Sequence, residues 1–221
     1  ADAIKTVAAC YQEPSFDYVQ WENSEYLPTP TIIEAAQALY RGHNVHDITR
    51  SDAGAENLTV TTDEINRIIK HNKANHRKSI CFVTGVPGAG KTLVGLNIAI
   101  HRSDAQQGEH AVFLSGNYPL VTVLQEALAR DKVEQEKQHG KRITKRDALR
   151  NASAFIQIIH KYRDSFVGNQ NLPPERVAIF DEAQRAWTRN MIENFMATKK
   201  GVAVFPYSEP EFLISTMDRH Q

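Results

Sequence analysis

The stretch Gly85-Val86-Pro87-Gly88-Ala89-Gly90-Lys91-Thr92 restricts what this chain can fold into more than any other. Glycines packed this closely are costly inside a helix or strand, so the segment must turn. Ahead of it stands Ser79-Ile80-Cys81-Phe82-Val83, mainly apolar and of strand length. Behind it, Leu93, Val94, Leu96, Ile98, Ala99 and Ile100 fill a largely apolar helix. A G-x-x-x-x-G-K-[ST] spacing between a strand and a helix is that of a phosphate loop. Without a Cβ in the way, the main chain can approach phosphates, and the loop N–H groups with the helix N-terminus form an anion cradle. Lys91 is expected to reach the β- and γ-phosphates of ATP. The Thr92 hydroxyl is expected to ligate Mg2+, an ion that takes oxygen donors.

A second motif gives the loop a partner. Val177-Ala178-Ile179-Phe180 is an apolar run suited to a parallel strand covered on both faces. Asp181 and Glu182 follow at its carboxyl end, where open α/β sheets bind ligands. Asp181 is the expected Mg2+ group. Glu182 is the expected group to orient or deprotonate a hydrolytic water, since phosphoryl transfer depends mostly on positioning and electrostatics. An Asp-Glu pair alone ends many ordinary strands. Its weight here comes from the complete loop upstream.

Strand, helix, strand, helices, strand, helix is the order of an α/β domain. Three strands are expected, at 80–84, 111–115 and 176–180, which is too few for a complete doubly wound sheet. Thr31 with Glu34 and Thr61 with Glu64 form capping boxes that open two helices, with a loop over 43–58 between them. Gly42 can end the first. Residues 131–146 are highly charged and expected to be exposed. Phe155, Ile158, Ile159, Tyr162 and Phe166 predict a helix, Trp187, Met191, Ile192, Phe195 and Met196 another, and Ser208 with Glu211 caps the last. The chain divides into a mostly helical segment, 1–75, and an α/β unit, 76–221.

The formal net charge is zero, so no global field announces a polyanion. Locally, residues 130–163 carry ten bases against four acids. That run could neutralise phosphates, or be a solvated face. The aromatic residues Tyr11, Phe16, Tyr18, Trp21 and Tyr26 accompany an acidic start and are expected to pack on the core. Cys10 and Cys81 make no disulfide framework, Cys81 falling in the expected phosphate-loop strand as a buried thiol. The histidines lack the cysteine neighbours of a zinc site. Neither a signal peptide nor a membrane span is evident, which fits a cytoplasmic location. The missing initiator Met suggests a piece of a longer protein.

Four stretches resemble the Schlafen group-3-like DNA/RNA helicases, relatives of superfamily 1. They are Glu25 to Ala36, Phe82 to Thr92, Val112 to Val121, and Phe180-Asp181-Glu182-Ala183-Gln184-Arg185-Ala186-Trp187. The resemblance implies an ATP-driven nucleic-acid motor whose first RecA-like domain, a P-loop NTPase, is incomplete here at its C-terminus. It places DNA or RNA over Ser115-Gly116-Asn117, although Gly116-Asn117 also suits a plain turn and helix cap. It gives Gln184 a part in coupling the γ-phosphate to motion. It also implies a second motor domain, supplying an arginine across the cleft, as the missing partner. Two other readings stay open: a P-loop regulatory ATPase acting on a protein partner, and a small-molecule or nucleotide kinase.

Overall fold

A computed structural model describes residues 30–43, 52–103, 110–202 and 204–220, with positions 19, 22, 23 and 48. Cys10, the aromatic residues Tyr11, Phe16, Tyr18, Trp21 and Tyr26, and residues 25–29 lie outside the described residues. Helix α1, Ile32–Tyr40, opens as its sequence requires: Thr31 accepts from the Glu34 N–H, and Glu34 returns a bond to the Thr31 N–H at 2.8 Å. It closes on Gly42 at φ +85°, with His43 and Gly42 N–H groups donating to the Ala38 and Leu39 carbonyls.

The second capping box does not form. Helix α2, Asp52–Ala74, runs through both Thr61 and Glu64, taking in part of the expected 43–58 loop. The Thr61 hydroxyl donates to the Asn57 carbonyl one turn back, at 2.7 Å, instead of capping. The same Ser/Thr chemistry serves either position, and the turn ahead of it decides which.

Three parallel strands form one sheet in the order β2-β1-β3: β1 is Ala111–Ser115, β2 Ile156–Ile158 and β3 Val177–Asp181. Helix α3, Lys91–His101, precedes β1. Helices α4, Tyr118–Gln138, and α5, Lys145–Phe155, join β1 to β2, and α6, Ile159–Phe166, leaves β2. Beyond β3 come a 3₁₀ turn, Ala183–Arg185, then α7, Arg189–Phe195, a π turn, Met196–Lys200, and α8, Glu209–Met217. Alternation along β1 sends Phe113 to one core with α1, α2, α3, α4 and α5. It sends Val112 and Leu114 to another with Tyr162, Ile192 and Phe212. The sheet is thus covered on both faces, as parallel strands require. This three-layer arrangement is compatible with a RecA-like one. Ala36, Leu39 and Leu58 share the first core with Leu96, so α1 and α2 pack on the α/β unit.

Four further expectations need correction. Residues 77–86 form no strand and lie exposed, with Phe82 at 87 % and Cys81 in the open. An apolar run reports a liking for burial, but a strand exists only through a pairing partner, and none of the described strands pairs with this run. At its start, Lys78 Nζ holds the Asp218 carbonyl and carboxylate at 2.6 and 2.7 Å, beyond the end of α8.

The expected helix over 155–166 is instead α5's last residue, then β2, then α6. Its β-branched Ile156-Gln157-Ile158 pairs with Phe113 to Ser115, and tertiary pairing overrides the local pattern. The charged stretch after 131 is partly helical and not wholly exposed. Asp131, on α4, is 4 % exposed and takes the Arg41 guanidinium at the end of α1. Finally, Trp187 lies ahead of α7 rather than in it, and Met191 faces solvent.

Candidate active site

The glycine loop ends where α3 begins. Gly88 and Gly90 sit at φ +80° and +81°, a conformation L side chains rarely adopt. Gly90 has a second constraint: a Cβ there would lie 2.6 Å from Leu58 of α2. Lys91 folds back on the loop, its Nζ donating to the Gly85 and Val86 carbonyls at 2.8 and 2.9 Å.

Helix α3 crosses the sheet closely because Gly95 is small. A Cβ on it would meet Ile179 of β3 at 3.0 Å and Phe113 of β1 at 3.2 Å. That approach brings the Thr92 hydroxyl to Asp181, donating to Oδ1 at 2.9 Å across 89 residues of sequence. The other carboxylate oxygen, Oδ2, is buried with no hydrogen-bond partner among the described residues. Burial is the main cause holding the Asp181 carboxyl above the usual range. Glu182's charge adds to it, while the Thr92 hydroxyl, the Glu182 N–H and Lys91 work against it. A half-buried carboxylate with one enclosed, idle oxygen beside a hydroxyl is a site short of positive charge.

Glu182 sits at φ +56°, ψ +37°, in the left-handed region. Its carboxylate accepts from Gln184 Nε2 at 2.6 Å and forms an ion pair with Arg185 Nε at 3.2 Å. The structure therefore brings together Lys91, Thr92, Asp181, Glu182 and Gln184 at one end of the sheet.

Ser115 lies in register with Asp181 on the neighbouring strand, so the Ser115-Gly116-Asn117 segment leaves the sheet beside the acidic pair. Ser115 itself is fully buried, its Oγ accepting the Asn117 N–H at 3.2 Å. Asn117 caps α4 by accepting from the Leu120 N–H at 3.3 Å. Gly116 and Asn117 are exposed. In the basic stretch, Arg130 and Lys145 pair with Glu126, and Arg150 with Asp147. Arg163 is buried against Glu209 and Asp164.

Sequence reasoning missed the cluster of His160, Arg163 and Glu209. Glu209 reads as an ordinary first-turn acid of a capped helix, and His160 as a polar residue inside an expected amphipathic helix. No local signal announces their contact across 49 residues. No helix among the described residues is long and apolar enough to cross a membrane.

No curated protein and no solved structure matches the chain significantly. Residues 78–221, more than half of the chain, match the family model described as Schlafen group 3, DNA/RNA helicase domain. That span takes in the glycine loop, the whole sheet and the acidic pair. The chain belongs to the Schlafen group 3 DNA/RNA helicase domain family.

Proposed function

We propose that this chain binds Mg-ATP between the glycine loop and the acids that end β3, and hydrolyses it as the first motor domain of a nucleic-acid-stimulated ATPase. One observation carries the reading: Thr92 and Asp181, distant in sequence, share a hydrogen bond while Asp181 Oδ2 is buried without a hydrogen-bond partner among the described residues. Hydroxyl and carboxylate oxygens are the donor set that Mg2+ favours, so the residues fit the ion. Bound there, the ion would neutralise charge on the β- and γ-phosphates.

The chain's own groups take the remaining parts. Main-chain N–H groups from Gly85 to Thr92 would cradle the phosphates. Lys91 Nζ would exchange its two loop carbonyls for phosphate oxygens. Glu182 would orient the attacking water and accept its proton, and Gln184, already on the Glu182 carboxylate, would report that state onward. DNA or RNA would cross the exposed Gly116 and Asn117, one strand away from Asp181. Ser115 would shape that turn from beneath rather than touch the strand. A second motor domain would supply the arginine that completes the site.

A P-loop switch acting on a protein partner is the second reading. It is favoured by the exposed Ile80, Phe82 and Val83 and by the internal pairing of much of the basic run. Phosphate release measured with and without single- and double-stranded DNA and RNA separates the two. Stimulation that weakens with added salt supports the helicase-type motor. Hydrolysis unaffected by every strand supports the switch.

A further inference from the structure

We propose that Glu209 is a positioning residue for Glu182, a role that rests on the reading of Glu182 as the water-orienting acid. The left-handed backbone of Glu182 costs about 1–2 kcal/mol for a residue with a Cβ. Such a conformation persists only where its surroundings over-determine it. The hydrogen bond from Gln184 and the ion pair with Arg185 cannot do this, because both come from the same exposed turn and would move with it. Nor does packing hold the turn on its inner side. It borders a cavity of about 90 Å³, large enough for several waters, shared with Gly116, Asn117 and His160.

The hold comes from α8. Glu209 grips the main chain of Trp187 at both groups: the Trp187 N–H donates to Oε2 at 3.1 Å, and the Glu209 N–H donates to the Trp187 carbonyl at 3.0 Å. Its Oε1 is fixed in turn by Arg163 Nη1 at 3.1 Å and His160 Nδ1 at 2.9 Å. Glu209 and Arg163 are 1 % and 2 % exposed. The Arg163 guanidinium lies over the Trp187 ring, 5.1 Å from its centroid, and the His160 ring sits 4.5 Å from it.

A buried ion pair adds little net stability over an apolar replacement. What this one does is tie the far end of the Ala183–Arg185 turn to α6, which leaves the end of β2. With Asp181 fixed in the sheet at one side and Trp187 at the other, the intervening chain closes with Glu182 at positive φ. Glu209 thereby sets where the Glu182 carboxylate points.

The test uses Glu209→Asp, which keeps the charge facing Arg163 but shortens the reach to Trp187, alongside Glu209→Gln. Glu209→Gln removes one of the two carboxylates that face the buried Arg163, leaving it Asp164 alone, and risks unfolding, in which case Glu209→Asp decides. Two readouts apply. The HN–Hα coupling and Cα shift of Glu182 by NMR report the sign of its φ without any catalysis. Steady-state hydrolysis and titration with a non-hydrolysable Mg-nucleotide separate turnover from binding. The expected result is loss of the positive φ, with turnover down at least about tenfold, since a shift on the order of 1 Å costs up to ~10²-fold. Nucleotide affinity should stay within about twofold of the parent. A positive φ and parental turnover retained in Glu209→Asp overturn the proposal. So does a joint fall of affinity and turnover with φ unchanged. If Glu182→Gln turns over as fast as the parent, the role of Glu182 fails, and the φ measurement alone then decides whether Glu209 sets the turn.

Discussion

Adding one methyl group to Gly95 should loosen the site without touching any candidate ligand. Gly95 lies inside α3 on the face against the sheet, where a Cβ would sit 3.0 Å from Ile179 Cγ2 and 3.2 Å from Phe113 Cε2. Alanine in a helix interior is better than glycine by about 1 kcal/mol. Overpacking a filled core costs about 1–3 kcal/mol. Phe113 is fully buried and cannot swing aside, so the steric term wins. The net loss for Gly95→Ala is then about 1 kcal/mol, or roughly 2–4 °C in melting temperature for a domain of this size. The helix must also lift from β3 by a few tenths of an ångström. Thr92 stands on the same helix and reaches Asp181 at 2.9 Å, so that bond lengthens. Mg-nucleotide affinity should fall several-fold. Circular dichroism melts and a nucleotide titration read both effects. A variant that melts higher than the parent and binds as well would mean that α3 does not approach the sheet this closely.

Two further substitutions follow. Glu182→Gln should retain nucleotide binding while phosphate release falls ~10²–10⁴-fold, the contribution of a positioned base; unchanged release moves the base elsewhere. Asp181→Asn should raise the stability of the nucleotide-free chain near neutral pH and abolish its stabilisation by Mg-nucleotide. The sign follows from burial: the folded carboxyl titrates above its ordinary value. Stability linked to this group is therefore complete below the unfolded pKa and is lost as pH rises through the raised folded one. The advantage of Asn should shrink as pH is lowered into the carboxylate range, and melting temperatures across pH show whether it does.

What the sequence made legible was local geometry held in contiguous residues. The turn of the octet from Gly85 to Thr92 and the strand ending in Asp181 could be read locally, because neighbouring residues decide each. So could the Thr31–Glu34 and Ser208–Glu211 boxes, where side chain and backbone partners lie three residues apart. Partnership at long range was not legible. Ile80-Cys81-Phe82-Val83 has a strand's composition and no pairing, whereas Ile156-Gln157-Ile158 has pairing inside what looks like a helix. Glu209 has nothing in its neighbourhood to mark it, since His160, Arg163 and Trp187 arrive from 49, 46 and 22 residues away. Ser115 shows the converse. The family resemblance implies a nucleic-acid contact for it, and its burial makes it a support for Asn117.

The claim that the glycine loop and the acids of β3 form one nucleotide site is tested most directly by titrating the chain with a non-hydrolysable ATP analogue, with and without Mg2+, in parallel with Lys91→Ala. Losing a charged hydrogen-bond donor to phosphate costs about 1.5–3 kcal/mol, which is roughly a 10- to 150-fold change in affinity. The account predicts saturable binding at one site that requires Mg2+ and is weakened to that extent by Lys91→Ala. Binding that never saturates, or that ignores both the ion and the lysine, would contradict it.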